Sequence, residues 1–252
     1  MQNTLCLVPF SIFLALASNL PTSGSEVVIC PPLDPQQESS SSIEVHSCVE
    51  WQSRYASEGR DSLDGDSIWS SCIELGWKQL STSLWYGNSP DQDYDELQLS
   101  LAATQSIGDL EFFAAYTHLK FPFDATHDDE IGAGLTWSNL PYELEFSAEA
   151  YYSFDATGTF AEIALARQFQ INEQLAVDVS SNFGLNQGYV ADGHNGANHV
   201  SLQMGFEYAI SDALSLTAQS QYSWGISRDL THSGDELLVE FLNVTVGLHY
   251  AF

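Results

Sequence analysis

With 252 residues, the chain is long enough for one barrel or two small domains. Its 34 acidic residues against six basic ones give a formal net charge of −28, which excludes nucleic acid as a partner because phosphate binding needs a basic face. Aromatic residues reach 12% while charged residues are only 16%, a mixture that favours a barrel facing lipid over an ordinary soluble domain. An acidic excess is also typical of proteins exposed to high external salt.

The N-terminal segment has the pattern of an export signal. An apolar run from Leu5 to Leu16 ends in Ala15-Leu16-Ala17, which predicts a signal peptide over residues 1–17, extending at most to about residue 25. The run is too short to span a bilayer as a helix, since about 20 apolar residues are needed. Residues 26–42, rich in proline and serine, predict a flexible periplasmic lead-in, and residues 43–252 predict the folded domain.

From residue 43 onward, polar and apolar residues alternate in segments with the length of a tilted transmembrane strand. Alternate side chains of a strand face opposite sides, so each segment turns one apolar face to lipid and one polar face inward. Long and short connections alternate as well, which is typical of a barrel with long outer loops and short periplasmic turns. The predicted fold is all-β: a single transmembrane antiparallel up-and-down barrel of about 12 strands. The predicted strands are residues 43–54, 67–77, 79–87, 95–105, 109–119, 129–138, 142–153, 159–168, 174–184, 198–208, 213–224 and 242–252.

Regularity differs among these segments. Residues 109–119 are the least regular, because Phe112 and Phe113 are adjacent and Leu119 breaks the alternation. A soluble β-sandwich would also alternate, but it hides its apolar face and seldom carries so many aromatic residues at the ends of strands of uniform length. The sandwich is therefore the less favoured alternative.

The last segment, Leu242 to Phe252, alternates without a slip and ends in an aromatic residue. This ending resembles the closing strand of Gram-negative outer-membrane barrels, in which the barrel-assembly machinery recognises a terminal aromatic residue preceded by alternate apolar residues. The resemblance assigns the assembly signal to Tyr250 and Phe252. It also implies an outer-membrane location in a Gram-negative bacterium, with lipid and lipopolysaccharide as surroundings.

Acidic residues dominate the positions that the alternation turns inward. Rings of carboxylates attract cations and repel anions, so the pattern predicts a lumen that passes small neutral or cationic hydrophilic solutes. The main inward base is Arg54. The predicted lumen-lining residues are Glu50, Glu74, Glu96, Glu143, Glu145, Glu149, Glu162, Asp178, Glu207 and Arg54.

On the first two predicted strands, the alternation also turns the side chains of Cys48 and Cys72 inward. They lie opposite each other if the hairpin is centred near Arg60. A cross-strand disulfide in an oxidising compartment and a pair of free buried thiols are both compatible with this placement.

Motifs for metal binding and catalysis are incomplete. Asp91, Asp93, Asp95 and Glu96 start like a calcium loop, but the glycine at position six and the glutamate at position twelve are missing. We therefore predict no cofactor and no dedicated metal site. Divalent ions that bridge the acidic outer loops to lipopolysaccharide are the weaker expectation.

Two catalytic patterns of outer-membrane enzymes are also incomplete. His199-Val200-Ser201 is like the His-x-Ser pair of outer-membrane phospholipases. The alternation of the strand, however, turns His199 and Ser201 into the lumen, and the next strand offers no clear asparagine to orient the histidine. A protease site would need His127-Asp128-Asp129 and the Asp192–His194 segment to meet at the rim. We therefore predict that the chain is not an enzyme.

Four short stretches resemble the TorF-type porins, a family of outer-membrane barrel proteins. They are Trp51-Gln52-Ser53-Arg54-Tyr55, Glu58-Gly59-Arg60-Asp61, Trp85-Tyr86-Gly87 and Asp93-Tyr94-Asp95-Glu96-Leu97. The family pattern has Arg-Gly where this chain has Gly59-Arg60. The resemblance implies an outer-membrane barrel with pore activity, and it supplies neither a substrate nor catalytic residues.

Two functions follow from these observations. The first is a porin-like channel with an acidic lumen. The second is a closed barrel with a structural role, or one that binds ions, lipopolysaccharide or a partner through its acidic outer loops. Twelve strands lie between narrow filled barrels and wide porins, so the strand count does not separate the two.

Overall fold

The computed structural model describes residues 43–252. The predicted signal peptide (1–17) and lead-in (26–42) lie outside the described residues. The described part contains fourteen strands and two single 3₁₀ turns, η1 (Pro141–Glu143) and η2 (Ser233–Asp235). The strands are β1 (Glu44–Gln52), β2 (Ala56–Ser57), β3 (Arg60–Asp61), β4 (Ile68–Trp77), β5 (Leu80–Asn88), β6 (Asp95–Ile107), β7 (Leu110–Phe121), β8 (Thr126–Leu140), β9 (Leu144–Ser153), β10 (Gly158–Gln170), β11 (Leu175–Gln187), β12 (Gly196–Ala209), β13 (Leu214–Gly225) and β14 (Phe241–Ala251).

Twelve of these strands close into one barrel in the order β1-β14-β13-β12-β11-β10-β9-β8-β7-β6-β5-β4. Every sequential pair is antiparallel, and β1 pairs with β14 to complete the ring. The short strands β2 and β3 form a separate hairpin inside the connection between β1 and β4. The predicted all-β, twelve-stranded antiparallel barrel is confirmed.

Within the described residues, no helix is long and apolar enough to cross a membrane.

The alternation of the sequence becomes the two faces of the barrel wall. On β14, Leu242, Val246 and Leu248 are exposed on the outside, whereas Asn243 and Thr245 are buried inside. Exposed large apolar side chains recur in the same phase on the other barrel strands, so the outside is apolar around the ring. Exposed aromatic residues lie toward both ends of the strands, where their rings suit the boundary between lipid and water. They include Trp69, Tyr86, Tyr116, Trp77, Trp137, Tyr208 and Tyr250.

Strand β7, the least regular in the sequence, keeps strict alternation. Phe112 faces outward, while Phe113 and Leu119 face the interior, where Leu119 is almost fully buried. The apparent break in the sequence therefore arises from apolar residues on the inner face, which pack beneath the outer loops.

The turn before β9 corrects the prediction for Glu143. The predicted strand 142–153 begins only at Leu144, because Tyr142 and Glu143 have positive φ angles within η1. The Glu143 carboxylate is 81% exposed and accepts a hydrogen bond from Arg167 Nη2 at 3.0 Å. It therefore lies on the short turn between β8 and β9 and does not face the barrel interior.

Both ends of the barrel domain meet at the seam between β1 and β14. The backbone N–H of Phe252 donates to the carbonyl of Val45 at 2.9 Å. Tyr250 and Phe252 project outward, and their rings meet edge to face 4.6 Å apart. The terminal aromatic pair thus stands on the lipid side of the closing seam.

Next to this seam, Cys48 and Cys72 are paired directly across β1 and β4. Their Cα atoms are 4.9 Å apart, and the side chains form a disulfide inside the barrel. The bond joins the first two barrel strands below the β2–β3 hairpin.

Thiol labelling tests this disulfide. In a background with Cys6 and Cys30 replaced by serine, Cys48 and Cys72 are expected to react with a maleimide only after reduction. Reduction is expected to lower the free energy of unfolding by about 3 kcal/mol, because the bond closes a loop in the unfolded chain. Urea unfolding in micelles measures the loss, and the Cys48→Ser, Cys72→Ser variant is the control that must not respond to reductant. Full labelling without reductant contradicts the bond.

Candidate functional site

The barrel interior carries most of the predicted lumen carboxylates on its inner face. Glu50, Glu74, Glu96, Glu145, Glu162 and Asp178 are buried, whereas Glu149, in the middle of β9, and Glu207, near the end of β12, are partly exposed. Small polar residues separate these carboxylates, and among them Ser100 and Thr117 contact each other across β6 and β7 at 3.0 Å. Carboxylates and small polar residues therefore recur along the inner face.

Glutamine side chains join the strands at mid-height. Gln219 Nε2 donates to Gln203 Oε1 at 2.8 Å, and Ser180 Oγ donates to the same oxygen at 3.3 Å. Nearer the periplasm, His249 lies 3.1 Å from both Glu50 Oε1 and Thr217 Oγ1. These contacts link neighbouring strands along the wall.

The connection between β1 and β4, residues 53–67 and here called loop 1, folds into the outer half of the barrel. Tyr55 is fully buried, its hydroxyl donates to Glu96 Oε2 at 2.8 Å, and its ring stacks on Trp85 with centroids 6.5 Å apart. Tyr94 also donates to Glu96, and Gln98 Nε2 donates to its other oxygen at 2.7 Å. One side of loop 1 is thus fixed to the wall formed by β5 and β6.

The tip of loop 1 contacts the facing wall. Arg60 Nη1 donates to Asn198 Oδ1 at 2.8 Å on β12, and Asn198 donates back to the carbonyl of Glu58. Gly59 has a φ of +70°, and a Cβ there would come within 2.2 Å of the His199 ring. Since β6 and β12 are six places apart in a ring of twelve strands, loop 1 spans the interior from wall to wall.

A buried ion pair fixes the tip of loop 1 to the connection between β13 and β14, residues 226–240 and here called loop 6. Arg60 Nη2 lies 3.1 Å from Asp235 Oδ1, and Arg60 Nε donates to the Gly234 carbonyl at 2.8 Å. Burial alone would raise the pKa of Asp235, but hydrogen bonds from the Asp229 N–H and from the N–H and ring of His194 lower it. The carboxylate that holds Arg60 is therefore anionic.

Glu58 is the most unusual titratable group of loop 1. The pKa of its carboxyl is raised from 4.5 to about 8, mainly by burial and to a lesser extent by the neighbouring carboxylates of Glu96 and Glu162, while Ser57 and Arg60 act in the opposite direction. Its Oε1 atom is buried without a hydrogen-bond partner. Glu58 is therefore neutral at pH 7 while loop 1 is folded inward.

The connection between β11 and β12, residues 188–195 and here called loop 5, covers another part of the outer mouth. Tyr189 donates to Glu130 Oε1 on β8 at 2.7 Å and packs on Phe160 with centroids 5.9 Å apart. Tyr151 and Phe113 complete this aromatic cluster. Loops 1 and 5 thus both enter the outer half of the barrel, whereas the other half is lined by side chains of the strands themselves, such as Glu74 and Asp178.

The remaining predicted residues have the following partners. Arg54 lies at the outer end of the interior and pairs with the buried Asp61. His199 and Ser201 face the interior as their parity predicted, and His199 Nε2 lies 3.4 Å from Glu162 Oε2. His194 pairs with Asp235, whereas His127 stacks near His118. The structure thus gives these two histidines different partners and assembles no protease-like pair from them.

Loop 1 contains the functional residues that the sequence reading missed. Tyr55, Glu58, Arg60 and Trp85 belong to the stretches that resemble the TorF-type porins, but the sequence predicts no contact inside the barrel for any of them. Two features of the sequence suit a loop that folds inward: the aromatic Tyr94 next to the inward-facing Glu96, and the Gly59-Arg60 turn. Neither feature states which wall the loop would reach.

Solved outer-membrane structures share this barrel. The KdgM porin superposes with a TM-score of 0.56 at 7% identity, covering 83% of this chain and 99% of that chain. The NanC porin superposes with a TM-score of 0.51 at 9% identity, with the same coverage. At such low identity the likeness shows the fold alone, a closed antiparallel β-barrel.

Sequence comparison gives no family assignment. No protein-family model matches the chain, and no curated protein matches it either. The resemblance to TorF-type porins therefore stays a prediction.

Proposed function

We propose that the chain is an outer-membrane channel of a Gram-negative bacterium for small hydrophilic solutes that are neutral or cationic. The observation that carries the proposal is the acidic inner face, in which carboxylates recur from Glu145 and Glu207 to Glu96. The two interior guanidinium groups, Arg54 and Arg60, are bound to Asp61 and Asp235. Carboxyl groups therefore outnumber free guanidinium groups on the inner face, and rings of carboxylates attract cations.

Unpaired polar atoms support a hydrated interior. Buried atoms of the inner face with no hydrogen-bond partner in the protein belong to Glu50, Gln52, Ser70, Gln98, Asp178, Asn182 and Ser201. Buried polar groups are normally satisfied by protein, water or ions. An inner face of this kind suits a path for water and small solutes better than a packed apolar core.

The chemistry of the solute differs from that in one structural neighbour. The KdgM porin has been solved with oligogalacturonate, a polyanion. A lumen lined by carboxylates disfavours such a ligand by charge repulsion. A shared fold therefore does not imply a shared solute, because the side chains of the lumen determine which solutes pass.

Planar-bilayer recording tests the channel. In a salt gradient, the reversal potential is expected to show cation preference. Replacing Glu145, Glu149 and Glu207 by glutamine is expected to reduce the preference by about twofold for each carboxylate, since a charge roughly 8 Å from an ion in water contributes about 0.5 kcal/mol. Glu143→Gln is the matched control, because this neighbouring carboxylate lies outside the lumen. Anion preference contradicts the proposal.

The alternative is a closed barrel with a structural role, or one that binds ions, lipopolysaccharide or a partner through its acidic outer loops. Loop 1 favours it, because this loop spans the outer half from β6 to β12. If neither the native protein nor a variant with loop 1 released conducts ions, the closed barrel is the better description.

A further inference from the structure

The outer rim of β7 and β8 carries one ammonium, two imidazoles and one carboxylate close together on the outward face of the wall. His118 and Lys120 follow the exposed Tyr116 at two and four residues, roughly 7 and 14 Å along the strand. His127 is paired directly with Lys120 across the two strands. The outer-rim patch is defined here as Tyr116, His118, Lys120, His127 and Asp129.

Hydrogen bonds order the outer-rim patch. Asp129 Oδ1 accepts from the Tyr116 hydroxyl at 2.6 Å and lies 2.8 Å from His118 Nδ1. The rings of His118 and His127 are 5.9 Å apart. The single carboxylate is thus occupied by two neighbours, while Lys120 is exposed and has no carboxylate within ion-pair distance among residues 43–252.

No other lysine or arginine of the chain stands on the lipid-facing outer rim. Lys78 and Arg167 lie at the periplasmic end, on the rings of Trp77 and Phe169 respectively. Arg54 and Arg60 bind carboxylates of loops 1 and 6, and Arg228 donates to two carbonyls of loop 6. On a chain with a net charge of −28, Lys120 is therefore the one lysine or arginine that the lipid-facing outer rim offers to an anionic headgroup.

We propose that the outer-rim patch binds a phosphate group of lipopolysaccharide directly. The patch faces lipid just beyond the apolar band, at the level of headgroups, and offers an ammonium and imidazole N–H donors, the groups that bind phosphate. Among the residues that the structure describes, no three His, Cys, Asp or Glu side chains are placed to share a metal ion. The proposal rests on the outer-membrane location and not on channel activity.

Native mass spectrometry of the full barrel in dodecyl maltoside, with added deep-rough lipopolysaccharide, tests the proposal. One bound molecule is expected for the native protein. Lys120→Gln is expected to weaken binding about fivefold, as for one lysine at a charged membrane surface, and Lys120→Gln with His127→Gln is expected to weaken it further. Lys78→Gln, which removes the same charge at the opposite rim, is the matched control and should bind like the native protein.

Three further arms identify the ligand chemistry. Lipid A with its phosphates removed should not bind, and phosphatidylglycerol should bind more weakly than lipopolysaccharide. A chelator should leave binding intact, since the contact needs no divalent ion. Equal binding by the Lys120 variants and the native protein, equal binding of the phosphate-free lipid or of phosphatidylglycerol, or loss of binding with chelator overturns the proposal.

Discussion

Replacing Arg60 by alanine is expected to release the tip of loop 1 from β12 and loop 6 and to increase ion flow through the barrel. Arg60 is buried, and it donates to Asn198, Asp235 and the Gly234 carbonyl. Removing one partner of a buried ion pair costs about 3 kcal/mol or more, because the other charge stays buried. Amide exchange in loop 1 is expected to accelerate by roughly a hundredfold, as local opening requires that much less free energy.

Arg228→Ala is the matched control for this change. Arg228 also holds loop 6, through the carbonyls of Asp235 and Glu236 at 2.8 and 2.7 Å, but it donates no hydrogen bond to loop 1. Hydrogen exchange of loop 1 and single-channel conductance should respond to Arg60→Ala and not to Arg228→Ala. Equal responses in both variants would mean that Arg60 does not hold loop 1 in the lumen.

Raising the pH above 8 is expected to open loop 1 in the native protein but not in a Glu58→Gln variant. Burial raises the pKa of Glu58 from 4.5 to about 8 in the folded loop. The pKa of this carboxyl is higher when loop 1 is folded inward than when the loop is open. Its contribution to the stability of the folded loop is therefore fully present below pH 4.5 and is lost as the pH rises through 8. The shift corresponds to a difference on the order of 4 to 5 kcal/mol between the protonation states. Above pH 8 the buried carboxylate would face Glu96 and Glu162.

Conductance at pH 6 and pH 9 measures this effect. The native channel should conduct more at pH 9, whereas Glu58→Gln should be similar at both values because glutamine stays neutral. Glu173→Gln, at an exposed periplasmic turn, is the control and should keep the native pH response. A native channel with the same conductance at both values, or a pH response that persists in Glu58→Gln, would exclude Glu58 as the group that loosens the loop.

Local pattern predicted the barrel well because a strand that separates lipid from a polar interior must alternate residue by residue. This rule alone predicts that Trp85, Glu96 and His199 face inward, and they do so in the structure. Errors arose where local backbone geometry replaced the strand, as at Glu143, whose positive φ belongs to a turn. At β7, the adjacent Phe112 and Phe113 looked like a break only because one interior position is apolar.

The sequence by itself determined the twelve barrel strands and which residues of each strand face outward and inward. The tertiary structure alone decided what loop 1 does. Arg60 meets Asn198 and Asp235 at separations of 138 and 175 residues, and no periodicity encodes such contacts. They exist because closing the ring brings β6 and β12 to facing walls at a distance that one short hairpin can span. The physical reason is that alternation is a property of each strand, whereas a contact across the lumen is a property of the closed barrel.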